Sequence, residues 1–291
     1  MRNIFITVAF YLLMFLSMVG TIVLIILIQD FTALPEGLSI LVAFLLPFFI
    51  SVSALRNIRS HVGINGILIP MAIGILFMIV PKSLMSSIAF TLRIAPVVLT
   101  IVLGILAGYI YGVKAGSSSR LPVMISVLPL ILTLGAYDLW VHKVEYGTFT
   151  GEPEEFREIQ FEVEDKTGRS VSETTLKGKI VLLDFWFIGC RTCVVKFPDL
   201  QEIHERYSSI DEVRIYAVNR PMSRDTTGQL FSYIEDMGYN FPVLKGSQKV
   251  MDAFGVQFYP TVIVLNPRGE VVFMGELDDA EAVIEELLVS M

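Results

Sequence analysis

The chain has 291 residues, 54% of them hydrophobic and 18% charged, with a formal net charge of −7. Residues 1–149 hold eight Lys/Arg against four Asp/Glu (+4), and residues 150–291 hold fourteen against twenty-five (−11). So acidic a carboxy-terminal half excludes a nucleic-acid partner, which needs clustered positive charge, and the change of hydropathy and sign near residue 145 marks a domain boundary.

Ile4 to Ile28 runs 25 residues without a charge, long enough to cross a bilayer. Leu38–Leu55, Ile64–Val80, Ile94–Val113 and Leu121–Val141 repeat the pattern, which predicts a membrane domain at 1–145 with about five transmembrane helices embedded in a lipid bilayer. The first run is too long for a signal-peptide core and lacks a small-x-small cleavage pattern, so it reads as retained. Arg2, Arg56, Arg59, Lys114 and Arg120 outnumber Lys82, Arg93 and Lys143 on the opposite side. The positive-inside rule then places the amino terminus in the cytoplasm and the acidic half outside the cell membrane. The stretch "KSLMSSIAFTLR", 82–93, is where the count of spans is most easily altered, either as an interfacial segment or as the start of the fourth span. Asp138 lies three residues from the end of its span, which favours an interfacial position over a proton relay. None of the spans carries a cysteine, so they cannot pass electrons through thiols.

Residues 146–157, within which "GTFTGEPEEFR" is polar and holds Gly and Pro, read as a linker. "IQFEVEDKTGRSVSE" alternates around a Lys-Thr-Gly turn and predicts a hairpin. "KIVLLDFW" is a continuous apolar run and predicts a central strand buried on both faces. Val194, Phe197, Leu200, Ile203 and Tyr207 recur at helical spacing. A strand "VRIYAVN", a helix "TGQLFSYIEDMG" ended by Gly238, an antiparallel pair "PTVIVLN" and "EVVFMGEL", and a closing helix "DDAEAVIEELLVSM" complete the order. That order predicts an α/β domain at 158–291, a mixed sheet flanked by helices. No glycine-rich phosphate loop follows a strand, and no nucleotide or other cofactor is implied.

The only two cysteines, Cys190 and Cys193, stand between the buried strand and its helix in "DFWFIGCRTCVVKFP". A helix amino terminus stabilises an anion and so acidifies a thiol placed there. Zinc would need about four ligands, whereas His61, His142 and His204 are scattered, so no metal site is expected. An inert disulfide closing so short a loop would contribute little chain entropy. Buried unpaired thiols fit poorly where a strand ends in a loop, and a reversible dithiol–disulfide couple is favoured over all three.

"DFWFIGCRTC", Pro198 five residues after Cys193, "FGVQFYPTVIVLNPRGEV" and the insertion "VNRPMSRDTTGQLFSYIEDMGYNFPVL" together resemble the thioredoxin superfamily. The likeness is greatest to its membrane-anchored TlpA/ResA-like thiol-disulfide oxidoreductases, and it covers about 155–291. The resemblance implies a thioredoxin-like fold with Cys190 as nucleophile, Cys193 as resolving thiol and Asp184 as buried acid exchanging a proton with Cys193. It implies a cis peptide bond before Pro260, with Tyr259 and Pro260 meeting an extended substrate and Trp186 behind the motif. Two departures are Thr192, where the family usually has proline, and Lys196, where the branch often has an acid. Arg191 and Lys196 would both favour thiolate, so the couple is expected to be less reducing than thioredoxin's. The partners implied are protein thiols and disulfides, together with a membrane redox partner. Two other readings stay open. A peroxiredoxin-like peroxidase would want Thr or Ser where Phe187 stands, and a non-enzymatic docking module of a membrane complex would not need its cysteines.

Overall fold

The computed structural model describes residues 2–31, 37–58, 69–76, 88–113, 120–153, 155–223, 225–226 and 228–291. The chain divides into two compact units, Met1–Val141 and His142–Met291.

The first unit is helical: α1 (Arg2–Phe31), α2 (Gly37–Ile58), α3 (69–76), α4 (Ile88–Val113), α5 (Arg120–Ile131) and the first half of α6 (Tyr137–Tyr146). Four helices among the described residues are long and apolar enough to cross a membrane: Val8–Leu27, Gly37–Leu55, Ile88–Val113 and Pro122–Tyr146. Of the expected third span, 64–80, only 69–76 falls within the described residues, and it is helical. The fourth begins at Ile88, six residues before the first residue of the run expected from hydropathy, so Arg93 lies inside the helix. The last span bends at a π-helical turn, Leu132–Ala136, where Gly135 takes φ 119°, a value that side-chain-bearing residues avoid.

Close approach of backbones packs this unit. Gly104, Gly108 and Gly112 form one stripe of α4 facing α2. A Cβ on Gly108 would lie 2.5 Å from the Phe48 carbonyl oxygen, and one on Gly112 would lie 2.8 Å from Leu55 Cδ1. Hydroxyls inside the helices donate to the carbonyl four residues back, as Thr100 does to Pro96 (2.7 Å) and Thr133 to Pro129 (2.8 Å). Such bonds let these hydroxyls sit among apolar helices without water, although the buried Ser51 hydroxyl has no hydrogen-bond partner among the described residues. Outward faces are apolar too: Leu12, Leu13, Phe49, Leu76 and Leu134 are exposed.

The second unit is built on a mixed sheet of eight strands in the order β1-β8-β7-β4-β5-β6-β2-β3. The strands are β1 (Arg157–Glu158), β2 (Glu162–Glu164), β3 (Ser170–Ser172), β4 (Ile180–Trp186), β5 (Val213–Asn219), β6 (Val243–Lys245), β7 (Thr261–Leu265) and β8 (Glu270–Gly275). The expected hairpin is β2–β3, and β7–β8 is the expected antiparallel pair. β4 is buried at every position and lies between parallel β5 and antiparallel β7. Side chains alternate across a strand, so β4 supplies two cores. Ile180, Leu182 and Trp186 pack with α8 (Arg191–Tyr207) and α11 (Leu277–Ser290). Val181, Leu183 and Phe185 pack with α10 (Gln248–Phe254). The short elements β1, β6, α7 (Glu173–Leu176) and α10 carry too few residues to show a period and are not expected from the sequence pattern. α9 (Gln229–Asp236) is the helix expected before Gly238. Within 146–157, Thr148 accepts from the Gly151 amide at 2.8 Å, and the Gly151 carbonyl accepts from the Met274 amide at 2.8 Å, so this stretch is tied to β8.

Candidate active site

β4 delivers the chain to the site and a tight turn hands it to α8. The Cys190 amide donates to the Phe187 carbonyl (3.1 Å), and Gly189 takes φ 92° at the third position of that turn. A positive φ there is the requirement of a type II turn, which makes glycine the fitting residue. The turn sets Cys190 at the N-cap of α8, where its sulfur accepts from the Cys193 amide at 3.2 Å. A cysteine thus occupies the place where Ser, Thr or Asp oxygen satisfies an orphan N–H. When reduced, a Cys190 thiolate would gain both that hydrogen bond and the helix dipole.

Cys190 and Cys193 are joined as a disulfide, with Cα atoms 5.3 Å apart. Cys190, the expected nucleophile, is only 4% accessible in this oxidised form, while Cys193 is at 0%. The bridge draws both sulfurs against the helix start and leaves Cys190 as the one with any open side.

Asp184 stands two residues before Trp186 on β4, and so on the sheet face that carries Cys193 and Phe197. It is buried, its Oδ1 has no hydrogen-bond partner, and desolvation pushes its pKa up to about 8. An unpartnered oxygen argues against a role capping an amide and favours a neutral, protonated carboxyl. Trp186, grouped with Tyr259 and Pro260 around the substrate side but expected behind the motif, is fully buried. Its ring meets Phe197 edge-on (5.3 Å) and stacks on Tyr233 (5.9 Å), backing the motif from beneath. Asn219, at the end of β5 and in register with Trp186, is fully buried with both side-chain polar atoms unpartnered. Asn219 is silent in the sequence, because an isolated Asn at a strand end carries no pattern.

Across from the cysteines the Tyr259–Pro260 bond is cis, as the resemblance implied. The Thr261 hydroxyl donates to the Phe258 carbonyl (2.9 Å) and ties this loop down. Tyr259 is half-buried, with its ring edge-on to Phe187 (5.3 Å) and the Arg220 guanidinium 5.8 Å from its centroid. Thr192 bridges the two sides: its Oγ1 is 3.4 Å from Cys190 Sγ and 3.4 Å from the Tyr259 carbonyl oxygen. Lys196 is engaged elsewhere. Its ammonium donates to both oxygens of Asp278 on α11 at 2.8 and 2.9 Å, so this one of the two cations expected to act on the thiols is paired with a carboxylate. Arg191 begins α8 and is exposed beside Cys190. Among the described residues no cluster of His, Cys, Asp or Glu could hold a metal ion.

The AhpC/TSA family matches residues 157–274. Thiol-disulfide oxidoreductase ResA of Bacillus subtilis is 35% identical over 113 residues, 38% of this chain and 61% of that protein. The chain thus spans about three fifths of the length of that relative. ResA of Halalkalibacterium halodurans is 30% identical over 131 residues, 45% of this chain and 72% of that protein. Among solved structures, the exposed lipoprotein thioredoxin Etrx1 of Streptococcus pneumoniae aligns with 44% of this chain and 99% of its own, at 27% identity and a TM-score of 0.39.

Proposed function

We propose, from the premise that this chain belongs to the AhpC/TSA family and within it to the ResA-like thiol-disulfide oxidoreductases, that it exchanges a dithiol for a disulfide with protein substrates at the outer face of a cell membrane. The observation that carries this reading is the Cys190–Cys193 bridge at the N-cap of α8, on the sheet face that also holds a buried, proton-carrying Asp184. The Cys190 thiolate attacks a substrate disulfide and forms a mixed disulfide. Cys193 gives its proton to the ionised form of Asp184 and displaces the substrate, closing the bridge. An acid whose pKa lies near the working pH can hold the proton in one half of the cycle and release it in the other.

Four apolar helices of spanning length support anchoring in the bilayer, and the excess of Arg2, Arg56, Arg59, Lys114 and Arg120 supports a cytoplasmic amino terminus. The domain limits that go with it are 1–145, 146–157 and 158–291, with a membrane redox partner as the source of electrons. The peroxidase reading gains nothing from Phe187, whose ring packs on Tyr259 and offers no hydroxyl to polarise a peroxide.

Cys193→Ser in the intact chain should accumulate mixed disulfides on Cys190, identifiable by mass spectrometry, and Cys190→Ser should accumulate none. Equal adduct levels in the two variants, or none in either, would remove the exchange function.

A further inference from the structure

Thr192 has one hydroxyl hydrogen and two neighbours within reach: the Cys190 sulfur and the Tyr259 carbonyl oxygen, each 3.4 Å from Oγ1. A hydroxyl donates once, so only one of them receives the hydrogen at a time. In the disulfide the carbonyl is the better acceptor, because bonded sulfur accepts weakly. Reduction reverses the order, since a thiolate takes a charge-assisted hydrogen bond about twice as strong as a neutral one. Rotation about the C–O bond of Thr192 makes the change without moving the backbone. Among the described residues Thr192 is the one donor to the Tyr259 carbonyl. That carbonyl sits beside the cysteines on the residue before Pro260, where an extended polypeptide could pair with it.

We propose, on the oxidoreductase reading of this site, that Thr192 is a positioning residue that passes its hydroxyl hydrogen between Tyr259 and Cys190. The Tyr259 carbonyl is then open to a backbone N–H of a disulfide-bearing polypeptide while Cys190 is a thiolate, and is reclaimed when the Cys190–Cys193 bond closes. In the first step the Cys190 thiolate bonds to one substrate sulfur, the substrate S–S bond breaks, and the leaving sulfur takes a proton from solvent. In the second step Cys193 passes its proton to Asp184 and bonds to Cys190, the mixed disulfide breaks, and the second substrate sulfur takes a proton from solvent. Two electrons pass to the substrate, and an external dithiol returns them. Binding is strengthened in the form that reacts and weakened in the form that must release product.

The test uses the full chain in detergent, insulin as the disulfide probe and dithiothreitol as the dithiol. Thr192→Val removes the hydroxyl at nearly constant shape, and Thr192→Ser keeps it. For Thr192→Val, iodoacetamide alkylation of Cys190 in the reduced chain should slow about tenfold at pH 7 through an upward shift of its pH midpoint. Inhibition by reduced insulin should strengthen by about tenfold, with KM for insulin little changed. Thr192→Ser should restore both. Equal behaviour of the Val and Ser variants would overturn the inference. So would a rise in KM for Thr192→Val with the alkylation midpoint and product inhibition unmoved, since that is the signature of lost packing alone. A wild-type chain that leaves insulin intact would overturn the oxidoreductase reading itself and this inference with it.

Discussion

In the helical unit, α4 meets α2 through Gly104, Gly108 and Gly112, where a side chain as small as methyl would collide with Phe44, Phe48 or Leu55 respectively. In the α/β unit, α8 meets the sheet through Phe197 and Leu200, fully buried large side chains that hold the helix off β4. The first unit has apolar residues outside as well as inside, so burial alone cannot tell one face of a helix from another; close backbone contact supplies the distinction. In the second unit burial is selective and fills two cores, and it also strips water from Asp184. Backbone proximity therefore organises one unit, while burial both stabilises the other and tunes its chemistry.

The largest effect should come from undoing that burial-driven tuning. Free aspartate titrates near about 4, whereas burial raises Asp184 to about 8. Between those values the folded chain holds a proton that the unfolded chain has lost. Stability of the α/β unit is therefore fully present below about pH 4 and falls as pH rises towards about 8, where the loss levels off. The total is on the order of several kcal/mol. Asp184→Asn keeps the shape and loses the titration, so its urea midpoint should be nearly flat from pH 5 to pH 8 while that of the wild type declines. The same variant should resolve mixed disulfides about 100-fold more slowly at pH 7, seen as their accumulation during turnover. A wild-type midpoint that does not decline would mean that Asp184 is ionised in the folded chain.

An intermediate effect tests the other half of the comparison. Gly108→Leu places a branched side chain against the Phe48 carbonyl and Ser51. It should cost the helical unit about 1–3 kcal/mol, the usual cost of overpacking. Thermal unfolding in detergent should report it as an earlier transition of that unit, with the α/β transition unmoved. Leu12→Ala, on an exposed face of α1, should shift neither. If Leu12→Ala is the more damaging of the two, close helix contact is not what organises the unit.

How much of this was legible in the residues follows from the same contrast. β4 could be read because seven apolar-dominated residues in a row leave a strand little choice but the centre of a sheet, and α8 because Phe197, Leu200 and Tyr207 keep a helical period. The cysteine pair showed its redox character in its spacing and its place before a helix, whereas the role expected of Asp184 came from the resemblance to the thioredoxin superfamily. Gly104, Gly108 and Gly112 repeat every four residues, yet against so apolar a background they went unread as a packing stripe; only the distance to α2 shows what they do. The contacts of Thr192 with Tyr259, and of Lys196 with Asp278, join residues 67 and 82 positions apart. Local patterns do not carry such pairings. Lys196 therefore looked like a charge aimed at the thiols when its partner was on α11.

The smallest effect separates those two views of Lys196. Its pair with Asp278 is partly exposed, at 30% and 64% of the side chains. Exposed pairs contribute about 0.2–1 kcal/mol, so Lys196→Gln should lower the urea midpoint of the α/β unit only slightly. A neutralised ammonium also exerts little field on Cys190, so the equilibrium potential against glutathione should move by less than about 15 mV, half of the 30 mV that corresponds to about 1.4 kcal/mol. Asp278→Asn is the sharper arm, because it removes the hydrogen-bonded carboxylate and leaves the ammonium with Asp199 at 4.0 Å and the weaker field of Glu276. The freed charge then favours the Cys190 thiolate, the reduced form gains, and the potential should rise. A fall in potential of more than about 30 mV on Lys196→Gln, with no rise on Asp278→Asn, would return Lys196 to the thiols and make the α8–α11 bridge incidental.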